Sequence, residues 1–228
     1  MKFPGFTGNF VKEYENEAEK GGSKVRLYTS KYAPNPRRVR VFLSEKGLSI
    51  PFVDVDIAKL EQKSPEFSAI NPFQTVPALE LDDGEILCES IAICRYLEDL
   101  HPEPNLFGLG ARERAEIEMW QRRLELYLFF PVAQAYRHSH PAAKTLELPR
   151  QLPDWAEINR ARVLEVMARV DAKLASRRFI AGDRYSVADI TGLCALDFTK
   201  PARIAVPTEL TNLQRWRREI SARPSAAA

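Results

Sequence analysis

The hydrophobic period of this chain changes once along its length and does not change back. Between residues 24 and 101, short β-branched and aromatic runs alternate with segments whose apolar side chains recur at helical spacing. Strand patterns fall at residues 25–29, 52–57, 76–81 and 85–88, the last two around Asp83-Gly84, a hairpin signal. Helical patterns fall at 37–46, where Val39, Phe42 and Leu43 share a face and Gly47 is a stop residue, at 64–70, with Ser64 as N-cap and Pro65 next, and at 91–100. Pro102, Pro104, Gly108 and Gly110 then break the period. Beyond them only helical patterns remain, at 112–138 with a bend predicted at Pro131, 155–176, 187–198 and 213–222. A chain of this kind is neither one helical bundle nor one doubly wound sheet. It reads as α/β plus all-α: a small domain at 24–101 in the order β-α-β-α-β-β-α, a linker at 102–111 and an all-helical domain at 112–224. Residues 1–23, which carry Glu13, Glu15, Glu17 and Glu19 and end in Gly21-Gly22-Ser23, read as an N-terminal extension.

Charge and cysteine usage narrow the function class. Lysine plus arginine number 33 against 31 aspartates and glutamates, a net charge of +2 over 228 residues, which argues against a nucleic-acid partner. The longest apolar run, residues 126–133, contains Pro131 and is too short to span a membrane. No secretory signal is visible at the start. Cys88, Cys94 and Cys194 are far apart and form no CxxC, which fits a reducing, cytoplasmic setting. His138 and His140 flank Ser139, but with only one other histidine no metal is expected.

Two segments carry chemistry. In Val76-Pro77 the proline opens a strand, where it serves simply as an initiator or leaves the Val76 backbone groups free to pair an extended peptide. In Glu89-Ser90 a strand gives way to a helix. Ser90 there is an N-cap, and the same helix start suits a ligand carboxylate, with Glu89 placed to take an ammonium. A third segment, Phe179 to Gly182-Asp183 and on through Ser186-Val187-Ala188-Asp189, is a capping box before an apolar helix and reads as a folding element.

The order Asn71-Pro72-Phe73-Gln74-Thr75-Val76-Pro77-Ala78-Leu79, then Cys88-Glu89-Ser90-Ile91-Ala92-Ile93, then a helical domain, resembles the cytosolic glutathione transferase family from about residue 25 to 224. The resemblance implies a thioredoxin-like domain that binds glutathione as co-substrate, with no metal. It places the cysteinyl unit on Val76 before a cis Pro77, and the γ-glutamyl end on Glu89 and Ser90. Gln62, Lys59 and Thr75 fall toward the glycyl end. The helix at 112–138 would supply a second-substrate pocket from Tyr127, Phe130 and Tyr136, residues that at helical spacing also suit a core. The family further implies a homodimer.

The loop at 30–36 is where the resemblance puts the thiol-activating residue. Glutathione reacts as a thiolate, and a thiol with pKa ~8.5 is mostly protonated at neutral pH. Members use Tyr, Ser or Cys at this point, whereas here Ala33 occupies the serine slot and the loop has no cysteine. Asn35 is the first candidate, similar to some bacterial members, although Asn35-Pro36 also reads as N-cap plus first helical residue. Tyr32 is the second, or packs on the sheet. Arg37 and Arg38 read as a solvated helix face. The implied activity is attack of glutathione thiolate on a small hydrophobic electrophile, a detoxification-type conjugation. A glutathione-dependent disulfide or peroxide reductase, or a non-catalytic binding protein on the same fold, is the alternative.

Overall fold

The computed structural model describes residues 24–146 and 150–228, so the expected extension at 1–23 lies outside the described residues. Four strands, β1 (Arg26–Thr29), β2 (Phe52–Asp54), β3 (Ala78–Glu80) and β4 (Ile86–Cys88), form one sheet in the order β2-β1-β3-β4. β1 and β2 are parallel, which requires a long crossover, and helix α1 (Pro34–Lys46) supplies it. The other pairs are antiparallel. α2 (Pro65–Ile70) follows two short 3-10 turns, Ile57–Lys59 and Glu61–Lys63, and α3 (Ser90–Leu100) follows β4. This is the thioredoxin-like arrangement.

Alternation along the strands divides the core between the two faces of the sheet. Leu27 and Leu79 pack with Val39, Phe42, Ile93 and Leu97 of α1 and α3. Tyr28 and Ala78 pack with Val53, Val55 and Phe67 of α2. Ser64 caps α2 as expected, accepting from the Phe67 N–H at 3.1 Å.

The second domain is helical: α4 (Gly110–Leu124), α5 (Phe130–Ser139), α6 (Pro141–Leu146), α7 (Pro153–Leu174), α8 (Val187–Phe198) and α9 (Thr211–Ser221). The long helix does not simply bend at Pro131. Just ahead of it, the five residues Glu125–Phe129 widen into a π turn. Proline has no N–H and its ring crowds the carbonyl four residues earlier, and the wider turn relieves both problems. α6 has no counterpart among the expected helices; its start is capped by His140, whose Nδ1 accepts from Ala142 N at 3.2 Å.

α8 is buried along nearly its whole length and packs against both α1 and α4, so a single core continues from the sheet domain into the helices. The expected capping box at its start is present: the Ser186 side chain and Asp189 each satisfy the other's backbone. The expected linker is tied down by Lys46 at the end of α1. Its buried ammonium pairs with Glu98 and donates to the carbonyls of His101 (2.7 Å) and Pro104 (2.8 Å). Glu98 in turn accepts from the N–H groups of Leu106 and Phe107. At the other end of the chain, a 3-10 turn at Pro224–Ala227 lies back on α1.

Candidate active site

The strand register gathers four loops at one end of the sheet. Thr29 pairs with Asp54, Tyr28 with Ala78, and Ala78 with Cys88. The chain leaving β1, the chain leaving β2, the chain entering β3 and the chain leaving β4 therefore lie side by side. These are residues 30–36, 55–63, 71–77 and 89–92, the segments that hold most of the sequence candidates.

Asn71, buried and overlooked in the sequence, builds the loop before β3. Its Nδ2 donates to the Thr75 carbonyl (2.7 Å) and hydroxyl oxygen (3.1 Å), while its Oδ1 accepts from the Phe73 N–H at 3.1 Å. An Asx turn ahead of Pro72 was the available signal. The loop delivers Val76 to a cis bond with Pro77, as the motif predicts. The Val76 side chain packs on the smaller core, while its N–H and C=O bond nothing among the described residues. Thr75 is exposed, and its oxygens are both engaged by Asn71.

At the start of α3 the structure corrects one detail. The N-cap is Glu89, not Ser90; Ser90 is the first helical residue, and no side chain caps this helix. Ile93 N–H bonds the Glu89 carbonyl at 2.9 Å, but the N–H groups of Ser90, Ile91 and Ala92 and the Ser90 hydroxyl have no partner among the described residues. The result is a cluster of donors at the positive end of an 11-residue helix, beside an exposed glutamate. Glu89 holds φ at 65°, Gln74 at 55° and Leu60 at 62°, so three of the four described non-glycine residues with left-handed φ sit in these loops. Such strain persists where surrounding structure enforces it. Gln62, in the turn after β2, is buried with its Oε1 unpartnered among the described residues, whereas Lys59 is exposed and paired with Asp56 at 3.3 Å.

The loop at 30–36 is braced by Arg40, whose guanidinium donates to the Thr29 hydroxyl (2.8 Å) and to the carbonyls of Ser30 (3.0 Å) and Lys31 (3.2 Å). Tyr32 does not pack on the sheet: it is 82% exposed, with the Lys31 ammonium beside its ring. Tyr28, the other tyrosine at this end of β1, donates its hydroxyl to Glu80 at 2.7 Å; burial, with Glu80 adding, pushes its pKa well up. Asn35 is not an N-cap. α1 begins one residue earlier, at Pro34, with Ala33 as a cap that contributes no side-chain bond. The Arg37 N–H bonds the Ala33 carbonyl at 3.4 Å and is not available to a ligand. Since Pro34 and Pro36 have no N–H, Asn35 carries the one open backbone donor of this first turn.

Arg37 and Arg38 are not solvated either. Arg37 binds Asp197 (2.7 Å) and the Ala226 carbonyl (2.8 Å). Arg38, 4% exposed, donates to Asn35 Oδ1 at 2.7 Å and Glu125 Oε1 at 2.9 Å. Their burial follows from the helical domain closing over α1, which local patterning cannot reveal.

The three cysteines, including Cys88 next to Glu89 at this end of the sheet, are all disfavoured as thiolates. Burial, with Glu89 adding, pushes the Cys88 thiol up; burial raises Cys94, and carries Cys194 to about 11. From the helical side, Tyr127 and Phe130 stand exposed, while Tyr136 stacks on His140 at 4.7 Å and meets Phe198 at 5.1 Å. His138 Nδ1 accepts from the Leu152 N–H at 3.1 Å. Among the described residues no group of three metal-binding side chains comes together, and no helix is long and apolar enough to cross a membrane.

Known proteins share this arrangement. Residues 27–105 match the family model described as glutathione S-transferase, N-terminal domain, and residues 134–224 match glutathione S-transferase, C-terminal domain. The chain belongs to the glutathione S-transferase family. Among relatives in this family, glutathione S-transferase 2 of Saccharomyces cerevisiae is 37% identical over 212 residues, covering 92% of this chain and 91% of that protein. Glutathione S-transferase 3 of Zea mays is 34% identical, covering 88% and 90%. Among solved structures, a glutathione S-transferase domain-containing protein of Marinobacter aquaeolei superposes with a TM-score of 0.84 at 38% identity, covering 88% of this chain and 98% of that one.

Proposed function

We propose that this chain catalyses attack of a bound glutathione thiolate on a small hydrophobic electrophile. The observation that carries the reading is the pair of open hydrogen-bonding elements at one end of the sheet: the backbone of Val76 and the donors at Ser90, Ile91 and Ala92, all unpaired among the described residues. An extended peptide ending in a zwitterionic amino acid fits both. Its γ-glutamyl carboxylate goes to the Ser90 hydroxyl and helix N–H groups, and its ammonium to Glu89. Its cysteinyl N–H and C=O pair with Val76 as an added strand. Its glycyl end goes toward Gln62 and Thr75.

The sulfur then lies toward the start of α1, where the Asn35 amide supplies a donor. A neutral amide stabilises a thiolate without being able to take its proton, so the proton leaves to solvent. Each pKa unit of depression requires about 1.4 kcal/mol of preferential thiolate binding. Tyr127, Phe130 and Tyr136 offer the apolar wall for the electrophile, and holding the two reactants together supplies the rest of the acceleration. The test is the ultraviolet absorbance of bound glutathione against pH, in wild type and Asn35→Ala. A depressed thiol pKa that rises in the variant supports the reading. An ordinary pKa with tight binding identifies a binding protein instead.

We also propose a homodimer. Phe73 is 84% exposed, and Met119, Leu126, Tyr127 and Phe130 add exposed apolar surface on α4, the π turn and α5. Apolar surface of this kind commonly marks an association face.

A further inference from the structure

Arg38 makes three contacts that together decide which atom of Asn35 faces a ligand. Its Nη2 donates to Asn35 Oδ1 (2.7 Å), its Nη1 donates to Glu125 Oε1 (2.9 Å), and its guanidinium lies over the Phe129 ring at 4.8 Å. A guanidinium has only donors, so the Asn35 atom that meets it must be the oxygen, and the NH2 group is turned away. The torsion that exchanges the two ends of an asparagine amide is broad and soft. Without Arg38 the amide is free to turn and present its oxygen to the sulfur, where an acceptor disfavours the thiolate. The direction of Asn35's effect is thus set by Arg38.

Arg38 is in turn fixed from the other domain. Glu125 and Phe129 are the first and last residues of the π turn. Arg122 holds the second oxygen of Glu125 at 2.7 Å, which keeps the carboxylate in place for Arg38. Among the described residues Arg38 Nε is buried without a partner, so the guanidinium rests on these contacts alone.

We propose that Arg38 and Glu125 are positioning residues for thiol activation: they lock the Asn35 amide with its N–H outward, and so place part of the activating machinery in the helical domain. This rests on the reading of Asn35 as the sulfur's donor.

Charge and position predict opposite outcomes for Glu125→Ala. Removing a carboxylate near a thiolate lowers the thiol pKa by electrostatics alone, whereas freeing Arg38 and then Asn35 raises it. We expect a rise of about one pKa unit in the thiolate absorbance titration, and no further rise when Glu125→Ala is added to Asn35→Ala. Glu125→Gln, which keeps an acceptor for Nη1, should restore most of the wild-type value. If Glu125→Ala does not fold, Arg38→Met with Glu125→Leu takes its place. Arg38 lies nearer Asn35 than Glu125 does, so the pair is also made in Asn35→Ala: a rise that disappears there reports position, and one that persists reports charge. A fall or no change on either variant, in a protein where Asn35→Ala does raise the pKa, overturns the positioning role and leaves the Asn35 reading intact. If Asn35→Ala has no effect, both fall together.

Discussion

Ser90 and Asn35 separate folding from ligand binding at the level of single side chains. The Ser90 hydroxyl bonds nothing among the described residues and does not cap α3, so Ser90→Ala should leave thermal stability unchanged. On the proposed reading its loss removes a charge-assisted bond to the γ-glutamyl carboxylate, and calorimetry should then show glutathione binding weaker by about 1–3 kcal/mol. Unchanged affinity would exclude Ser90 as a ligand. Asn35 is less clean: no side-chain cap of α1 is lost on substitution, but Asn35→Ala removes a partner of the buried Arg38 guanidinium and should cost some stability. Asn35→Asp is the sharper variant. A carboxylate keeps the contact with Arg38, so the fold should hold, but it has only acceptors to offer the sulfur. Its conjugation rate should fall below that of Asn35→Ala. An Asp variant as active as wild type would show that the sulfur is activated elsewhere.

The elements show what local pattern conveys and where it stops. Ser64 before Pro65, the Asp83-Gly84 hairpin, and the Ser186 and Asp189 box are complete within a few residues of sequence, and each appears where the pattern places it. The start of α1 does not. Ala33-Pro34 and Asn35-Pro36 are both a residue followed by proline, and a proline disfavours the helical backbone before it. Local rules therefore favour Asn35 outside the helix. The structure draws it in, where Arg38 three residues on can bond its side chain. The π turn was equally hidden: Pro131 announces a disturbance, but how the preceding turn accommodates it depends on what Glu125 and Phe129 meet across the domain boundary. The capping box offers a stability test. Asp189 is fully buried and accepts from Ile180 N (3.0 Å), Ser186 N (3.0 Å), Ser186 Oγ (3.1 Å) and Trp216 Nε1 (2.8 Å). Burial pushes its carboxyl up to about 6, against the pull of those donors. Asp189→Asn turns an amide N–H toward donors, which should cost about 3 kcal/mol in denaturant unfolding. A loss under about 0.5 kcal/mol, the usual scale of a surface change, would show that the box contributes little.

Across the whole molecule, the C-terminal turn and the exposed loop before β3 face different tests. Glu45 on α1 accepts from Arg223 Nε (2.7 Å) and Nη2 (2.6 Å) and from the Ser225 hydroxyl, which fastens the turn at 224–227 to the sheet domain. Burial raises the Glu45 carboxyl, but the bonds from Arg223 and Ser225 outweigh it, and the net position is below the ordinary 4.5. The unfolded chain therefore takes up this proton first as pH falls. The stabilisation is complete above about pH 4.5 and is lost as pH drops through the lower folded value. Glu45→Gln should be less stable than wild type at pH 7, and the difference should shrink steadily below pH 4.5 in acid-unfolding curves. A gap that stays constant with pH would contradict this account. The last test is association. Phe73 is held outward by the Asn71 side chain, which accepts its N–H at 3.1 Å, so this ring is presented by a built loop. A second copy of the chain that buries it removes most of an aromatic side chain from water, worth about 1.5–3 kcal/mol per protomer. Phe73→Ser deletes that contribution without touching the Asn71–Thr75 bonds that shape the loop. Light scattering at micromolar concentration should show a dimer for wild type and a shift toward monomer for the variant, with glutathione affinity unchanged. If wild type is a monomer, the association is wrong. If Phe73→Ser remains as firmly dimeric as wild type, the association does not depend on Phe73, and the exposed residues Met119, Leu126, Tyr127 and Phe130 are the surface to test next.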